Sequence, residues 1–258
     1  MRNRLLCVSM SVLAVTLLAS RAEAQEDHVG ELGVMFWRPS PELTLSTDAL
    51  AGSSTNEVDF VQEFGIEDKS FPEFRAVLGA GHKFRFSYVK FSYDAEATIQ
   101  RTFTFQGRTF TVGAPASTDI KWDLWKLGYE WDFVRRERGF FGLFTDVKIN
   151  KIQASVDSPA LSSTASVDTT APVPTVGVIG RGYVAPMVAI TGEFSGLKVS
   201  SGDFEVKFTD FDISGTVTFG RHVGAQVGYR SVVVDYVVDE DTGDLKMQGP
   251  YFGGVVRF

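Results

Sequence analysis

From residue 29 onward, apolar and polar positions alternate with a period of two over stretches longer than most soluble strands. Leu32, Val34 and Phe36 alternate with Glu31, Gly33 and Met35, and Phe74, Ala76 and Leu78 with Glu73, Arg75 and Val77. Trp125, Leu127, Tyr129, Trp131 and Phe133 form one wholly apolar, aromatic-rich face against Lys126, Gly128, Glu130 and Asp132. That span is within the roughly 9–11 residues a tilted strand needs to cross a bilayer. The pattern returns at 141–150, 210–219 and 223–230. Alternation alone does not separate a membrane barrel from a soluble sandwich, whose apolar faces turn inward.

The connections separate the two. Short, glycine-marked reversals are predicted at 79–82, 135–139, 180–182 and 220–222. Between them fall longer polar links at 39–70, 98–118 and 157–171, and shorter ones at 200–203 and 239–244. Short links alternating with longer ones are the habit of membrane barrels. Strands are expected near 29–38, 71–79, 83–96, 119–134, 140–155, 172–179, 183–198, 204–219, 223–238 and 245–258, about ten in all. Eight or twelve are the alternatives. Asn56 to Gly65, with Val58, Phe60, Gln62 and Phe64, reads as a further strand or a segment folded inward, and prolines weaken 172–179.

Within 83–93 the aromatic phase changes: Phe84, Phe86 and Tyr88 share one parity, and Val89, Phe91 and Tyr93 the other. A β-bulge near Tyr88 accounts for this, as does extension of the strand beyond the bilayer. Two aromatic girdles are expected. Phe84, Phe133, Phe140, Phe141, Tyr183, Phe219 and Phe258 gather near the short turns, and Trp37, Tyr93, Trp125, Phe194, Phe211 and Tyr236 toward the other end.

Composition adds the compartment. Arg2 and Arg4, an apolar run from Leu5 to Ala19 and Ala22-Glu23-Ala24 read as a cleaved signal sequence over 1–24, leaving one domain over 25–258. Cys7, the only cysteine, falls inside that signal, which excludes disulfides and thiolate chemistry from the mature chain. The formal net charge is −7 and becomes more negative without the signal, so phosphate-rich nucleic acid is a poor partner.

The last strand, Gly249 to Phe258, has Phe252, Gly254, Val256 and Phe258 on one face and Arg257 on the other. Signal sequence, amphipathic strands, alternating turns and terminal Phe258 together resemble a small bacterial outer-membrane β-barrel protein of the OmpA, OmpW or porin-like kind, across nearly all of 25–258. The resemblance implies an all-β, closed antiparallel transmembrane barrel with its first and last strands paired. It also implies a place in the cell outer membrane among its lipids. Phe252, Val256 and Phe258 would mark the strand by which the barrel-assembly machinery inserts the chain. The function so implied is a narrow porin-like channel or a structural, surface-interacting barrel. An outer-membrane hydrolase acting on lipid or peptide is the alternative.

The lumen is expected to hold Glu31, Glu73, Glu130, Asp132, Asp146, Asp210 and Asp212 with Arg75, Lys83, Arg85, Lys126, Lys148, Arg230 and Arg257. Such balance suits a salt-bridged interior or a polar channel lining. Hydrolysis near neutral pH favours histidine, and His28, His82 and His222 all fall at the short-turn end, so no catalytic set is assigned. Asp239, Asp241 and Asp244 form a weak calcium-loop pattern lacking the later bidentate Glu, and an acidic hairpin tip explains it as well. No cofactor is implied. Thr102 to Thr111 reads as a small hairpin outside the membrane, either projecting for a surface contact or capping the barrel, and Arg135-Arg136-Glu137-Arg138 as a basic turn near lipid headgroups.

Overall fold

The computed structural model describes residues 28–46, 57–105, 107–201, 204–238 and 241–258, so the expected signal at 1–24 lies outside them, as do Asn56 and Asp239. Strand β1 (Gly30–Trp37) is continued after Arg38-Pro39 by β2 (Ser40–Ser46), and then come β3 (Glu57–Asp59) and the short helix α1 (Phe60–Phe64). β4 (Phe71–Ala80) and β5 (His82–Thr98) precede a hairpin of β6 (Phe103–Phe105) and β7 (Arg108–Phe110). Long strands complete the chain: β8 (Pro115–Arg136), β9 (Gly139–Ser158), β10 (Ser163–Ala185), β11 (Val188–Ser201), β12 (Phe204–Phe219), β13 (Val223–Val238) and β14 (Asp241–Arg257).

Ten of these strands, β1, β4, β5 and β8 through β14, form an antiparallel sheet that closes on itself. Closure is the pairing of β1 with β14, from Glu31 opposite Arg257 to Trp37 opposite Tyr251. Beyond it, the N–H groups of Val29 and Gly30 donate to the Phe258 carbonyl at 2.7 and 2.8 Å, and the Phe258 N–H donates to Gly30 at 3.0 Å. No edge is left between first and last strands. The same β14 pairs β2 farther along, from Thr242 opposite Ser46 to Gln248 opposite Ser40. Where β1 gives way to β2, a Cβ on Gly249 would stand 2.1 Å from the Arg38 carbonyl oxygen, so glycine is required there.

The chemistry of each strand inverts along its length while its inward parity holds. In β8 the inward series runs Ile120, Trp122, Leu124, then Gly128, Glu130, Asp132; outward, Asp119, Lys121 and Asp123 give way to Trp125, Leu127, Tyr129, Trp131 and Phe133. In β5 the inward series runs Lys83, Arg85, Ser87, then Val89, Phe91, Tyr93. The two inversions lie side by side, with Tyr88 opposite Trp125 and Val89 opposite Leu124. No register shift interrupts β5 against β4 or β8, so the phase change at Tyr88 is an extension of the strand beyond the apolar belt and not a bulge.

Above that level the wall divides. Pairing of β4 with β5 stops at Glu73 and Val89, and pairing of β10 with β11 starts only at Val176 and Gly196. One sheet of β5, β8, β9 and β10 then faces another of β11 to β14, β2 and β3, with an apolar core between them. Phe91, Ile120, Trp122 and Val156 come from the first sheet, and Leu197, Phe208, Val232 and Met247 from the second. Before Val176 in the chain only one side of β10 is paired, and there Pro172 and Pro174 are tolerated despite lacking N–H donors.

Several expected links are strands. The 157–171 link is paired β9 and β10, joined by a 3-10 turn at Pro159–Leu161; its serines and threonines read as loop because neither face there meets lipid. The 180–182 turn is absent. β10 runs through it to Ala185, and the reversal falls at Pro186-Met187, where proline cannot continue the ladder. Segment 56–65 is folded inward: Asp59 caps α1 by accepting from the Val61 and Gln62 N–H groups at 3.0 Å, Gly65 ends it at φ 64°, and Phe60 and Phe64 are buried. Of the two readings of the 102–111 hairpin the structure has the cap: Phe105 and Phe103 pack against Phe60 and Phe64 of α1, at 5.5 and 6.4 Å, and Phe110 stacks on Phe103 at 5.3 Å, all three rings buried.

The girdles need a matching correction. Trp37, Tyr93 and Phe140 point inward and are buried, while Trp125, Phe194, Phe211, Phe84, Phe133, Phe141, Phe219 and Phe258 face out.

Candidate functional site

All fourteen charges expected in the lumen are there, below the inversion level, and pair with one another. At the short-turn end Arg257 Nε donates to Glu31 at 2.7 Å, and Arg181 reaches the same carboxylate at 3.4 Å. Lys83 lies 2.9 Å from Glu130 and 2.7 Å from Asp132, above the Phe140 ring. Arg85 bridges Glu130 and Glu193. Lys148 uses its three donors on Asp146, Thr175 and Ser195 at 2.7, 2.6 and 3.0 Å.

The innermost layer surrounds Arg230. Its guanidinium grips Asp210 with two bonds of 3.0 and 2.9 Å and donates to Glu73 at 3.0 Å. Arg75 takes the other Glu73 oxygen at 2.8 Å and Asp212 at 3.0 Å, Lys126 reaches Asp210 at 2.9 Å, and the Tyr251 hydroxyl donates to Asp212 at 2.6 Å. Directly above, the Trp37 ring lies 4.9 Å from the Arg230 guanidinium, joining the ionic layer to the aromatic core. A cavity of about 100 Å³, room for a few waters, runs from His28, Glu31 and Arg181 at the short-turn end to Arg75, Lys126 and Asp212.

The arrangement neutralises itself. Each carboxylate meets a cation at charge-assisted distance, and the bidentate Arg230 geometry is the strong form of such a contact. Above it, apolar rings fill the bore. Below the inversion level the outer surface carries Leu32, Phe36, Phe74, Leu127, Leu143, Ile213, Val227 and Phe252, all exposed. An apolar belt of that extent is not left to water.

No protein-family model and no curated protein sequence matches the chain. Its structure is similar to that of the outer membrane protease OmpT from Escherichia coli, with a TM-score of 0.63 at 8% identity, over 90% of this chain and 97% of that one. The fold is that of a bacterial outer-membrane β-barrel. The translocator domain of the autotransporter NalP from Neisseria meningitidis aligns over 88% of both chains at 11% identity, with a TM-score of 0.44.

In this outer-membrane barrel fold the three histidines stay at the short-turn end. His82 Nδ1 lies 2.5 Å from the Tyr129 hydroxyl, His222 Nδ1 lies 2.9 Å from the Arg257 carbonyl, and His28 faces Glu31 at 3.9 Å. Asp241 and Asp244 belong to β14, their backbones opposite Val238 and Asp235. Among the described residues no group of three metal-ligating side chains converges. Phe252, Val256 and Phe258 lie on the outer face, at 61, 47 and 55% exposure.

Two members of the barrel's network escaped the sequence reading. Arg181 was hidden by the turn expected at 180–182. Glu193 was legible: Thr191, Glu193 and Ser195 alternate with Ile190, Gly192 and Phe194, the same writing that revealed the others.

Proposed function

We propose that this chain sits in the outer membrane with both ends of the barrel at the periplasmic side, as a sealed structural barrel that carries a β-sandwich into the extracellular space. The observation that carries this reading is the doubly filled bore, ionic around Arg230 and aromatic above it. A conducting pore of this size needs a continuous water path, and here Trp37 covers the ionic layer while α1 and the β6–β7 hairpin cover Trp37's core. The partners of this role are outer-membrane lipid around the belt, the barrel-assembly machinery during insertion through Phe252, Val256 and Phe258, and whatever meets the sandwich outside. No hydrolytic step belongs to it.

Planar-bilayer recording of the purified barrel tests the reading. The expected result is no single-channel step at any voltage or salt concentration. Stable steps that scale with salt would replace it with the channel reading.

A further inference from the structure

The β8–β9 turn exposes Arg135, Arg136 and Arg138, with Glu137 as its one carboxylate. Neither neighbouring turn, at 79–82 or 185–188, contains an acidic residue. Among the described residues no ion pair involves these arginines, whereas three exposed lysines at the far end are matched: Lys121 with Asp119 at 2.8 Å, Lys207 with Asp235 at 3.2 Å and Lys246 with Glu42 at 2.9 Å. In a chain of net charge −7, such an uncompensated patch is an exception.

Its setting narrows the partner. The register slips between Trp131 and Val134, and this bulge turns Phe133 and Val134 both outward just before the arginines. Phe133 stands 5.4 Å from Phe141 and 5.9 Å from Trp131, and His82 lies parallel to Trp131 at 6.3 Å. Gly81, at φ 84°, leaves room for Arg135, whose Nη1 would be 3.2 Å from any Cβ there. Guanidinium groups thus border the last exposed rings of the belt, the depth at which lipid phosphates meet interfacial aromatics.

We infer that this sector binds the phosphate of an anionic phospholipid in the periplasmic leaflet, with Arg135, Arg136 and Arg138 on the headgroup and Trp131, Phe133 and Phe141 against the upper acyl chain. Guanidinium pairs with phosphate through two parallel bonds, which an ammonium cannot do. A soluble polyanion would satisfy the arginines and leave the adjoining rings unused. The inference rests on the membrane-barrel reading.

Quenching by brominated lipid tests it. In a Trp125→Phe background Trp131 is the lipid-facing tryptophan, since Trp37 and Trp122 are buried inside. In phosphatidylcholine vesicles, brominated phosphatidylglycerol should quench Trp131 more than brominated phosphatidylcholine at equal mole fraction. Each Arg→Gln change should lower that preference about fivefold, as should high salt in part. Heat-dependent gel mobility checks that the R135Q/R136Q/R138Q variant is folded. Equal quenching by the two lipids, a preference unchanged in the triple variant, or its abolition by millimolar inorganic phosphate would overturn the inference and leave the barrel reading standing. Absence of quenching by either lipid would overturn both.

Discussion

Arg230 and Glu73 meet across the bore at 3.0 Å, although β14 and β1 lie between their strands, and their side chains are 0% and 1% exposed. Removing one partner from such a buried pair strands the other charge. Arg230→Met should therefore destabilise the folded barrel by about 3–5 kcal/mol, read from urea unfolding in vesicles. Arg230→Met with Glu73→Gln leaves Asp210 to Lys126 and Arg75 to Asp212, and should recover most of the loss.

Tyr251 occupies space that Gly228 leaves open. A Cβ at Gly228 would stand 2.5 Å from the Tyr251 ring and 2.6 Å from the Ile213 carbonyl oxygen, while one at Gly215 meets nothing within 4 Å. Gly228→Ala should cost about 1–3 kcal/mol in the same unfolding measurement. Gly215→Ala should be neutral or slightly stabilising, as for glycine in a strand interior.

The aromatic cap should be separable from the barrel below it. Phe60→Ala removes a fully buried ring that touches Phe64 and Phe105, an expected loss of about 3–5 kcal/mol. That loss falls on the upper sandwich, so externally added protease should cut the variant faster near α1 while heat-dependent gel mobility is retained.

How much of this was legible follows from which solvent each face meets. Where the outer face meets lipid, as in Trp125 to Phe133, alternation is high in contrast, and strand, inward charges and closure with Phe258 could all be read. Above that level Thr164 to Thr170 gives the core only Ala165 and Val167 between serines, threonines and Asp168, so its alternation is low in contrast and reads as a loop. Rings in a barrel strand read as lipid-facing, but Trp37 and Tyr93 lie above the belt, where rings fill the sandwich core. Glycines at 180 and 182 suggested a turn, yet neither has positive φ.

Tyr93 lies above the belt, with a buried hydroxyl that has no hydrogen-bond partner among the described residues. Burial, with the Asp68 charge nearby, pushes its pKa well up from the ordinary tyrosine value. An unfolded chain then releases this proton first, binding fewer protons than the folded one above about pH 10, so stability falls as pH rises past that value. Tyr93→Phe should be neutral or stabilising at pH 7 and should flatten the alkaline limb of a stability-versus-pH curve.

One chain meets two solvents, lipid below the Tyr88–Trp125 level and water above it. Cys7 is the only native cysteine, so single cysteines can be placed at will after its replacement. Leu127 and Lys151 both face outward and are exposed on the bare protein, one below that level and one above it. On intact cells, a membrane-impermeant maleimide should label Lys151→Cys rapidly and leave Leu127→Cys unlabelled until detergent is added. Equal labelling of the two positions before detergent would contradict the account.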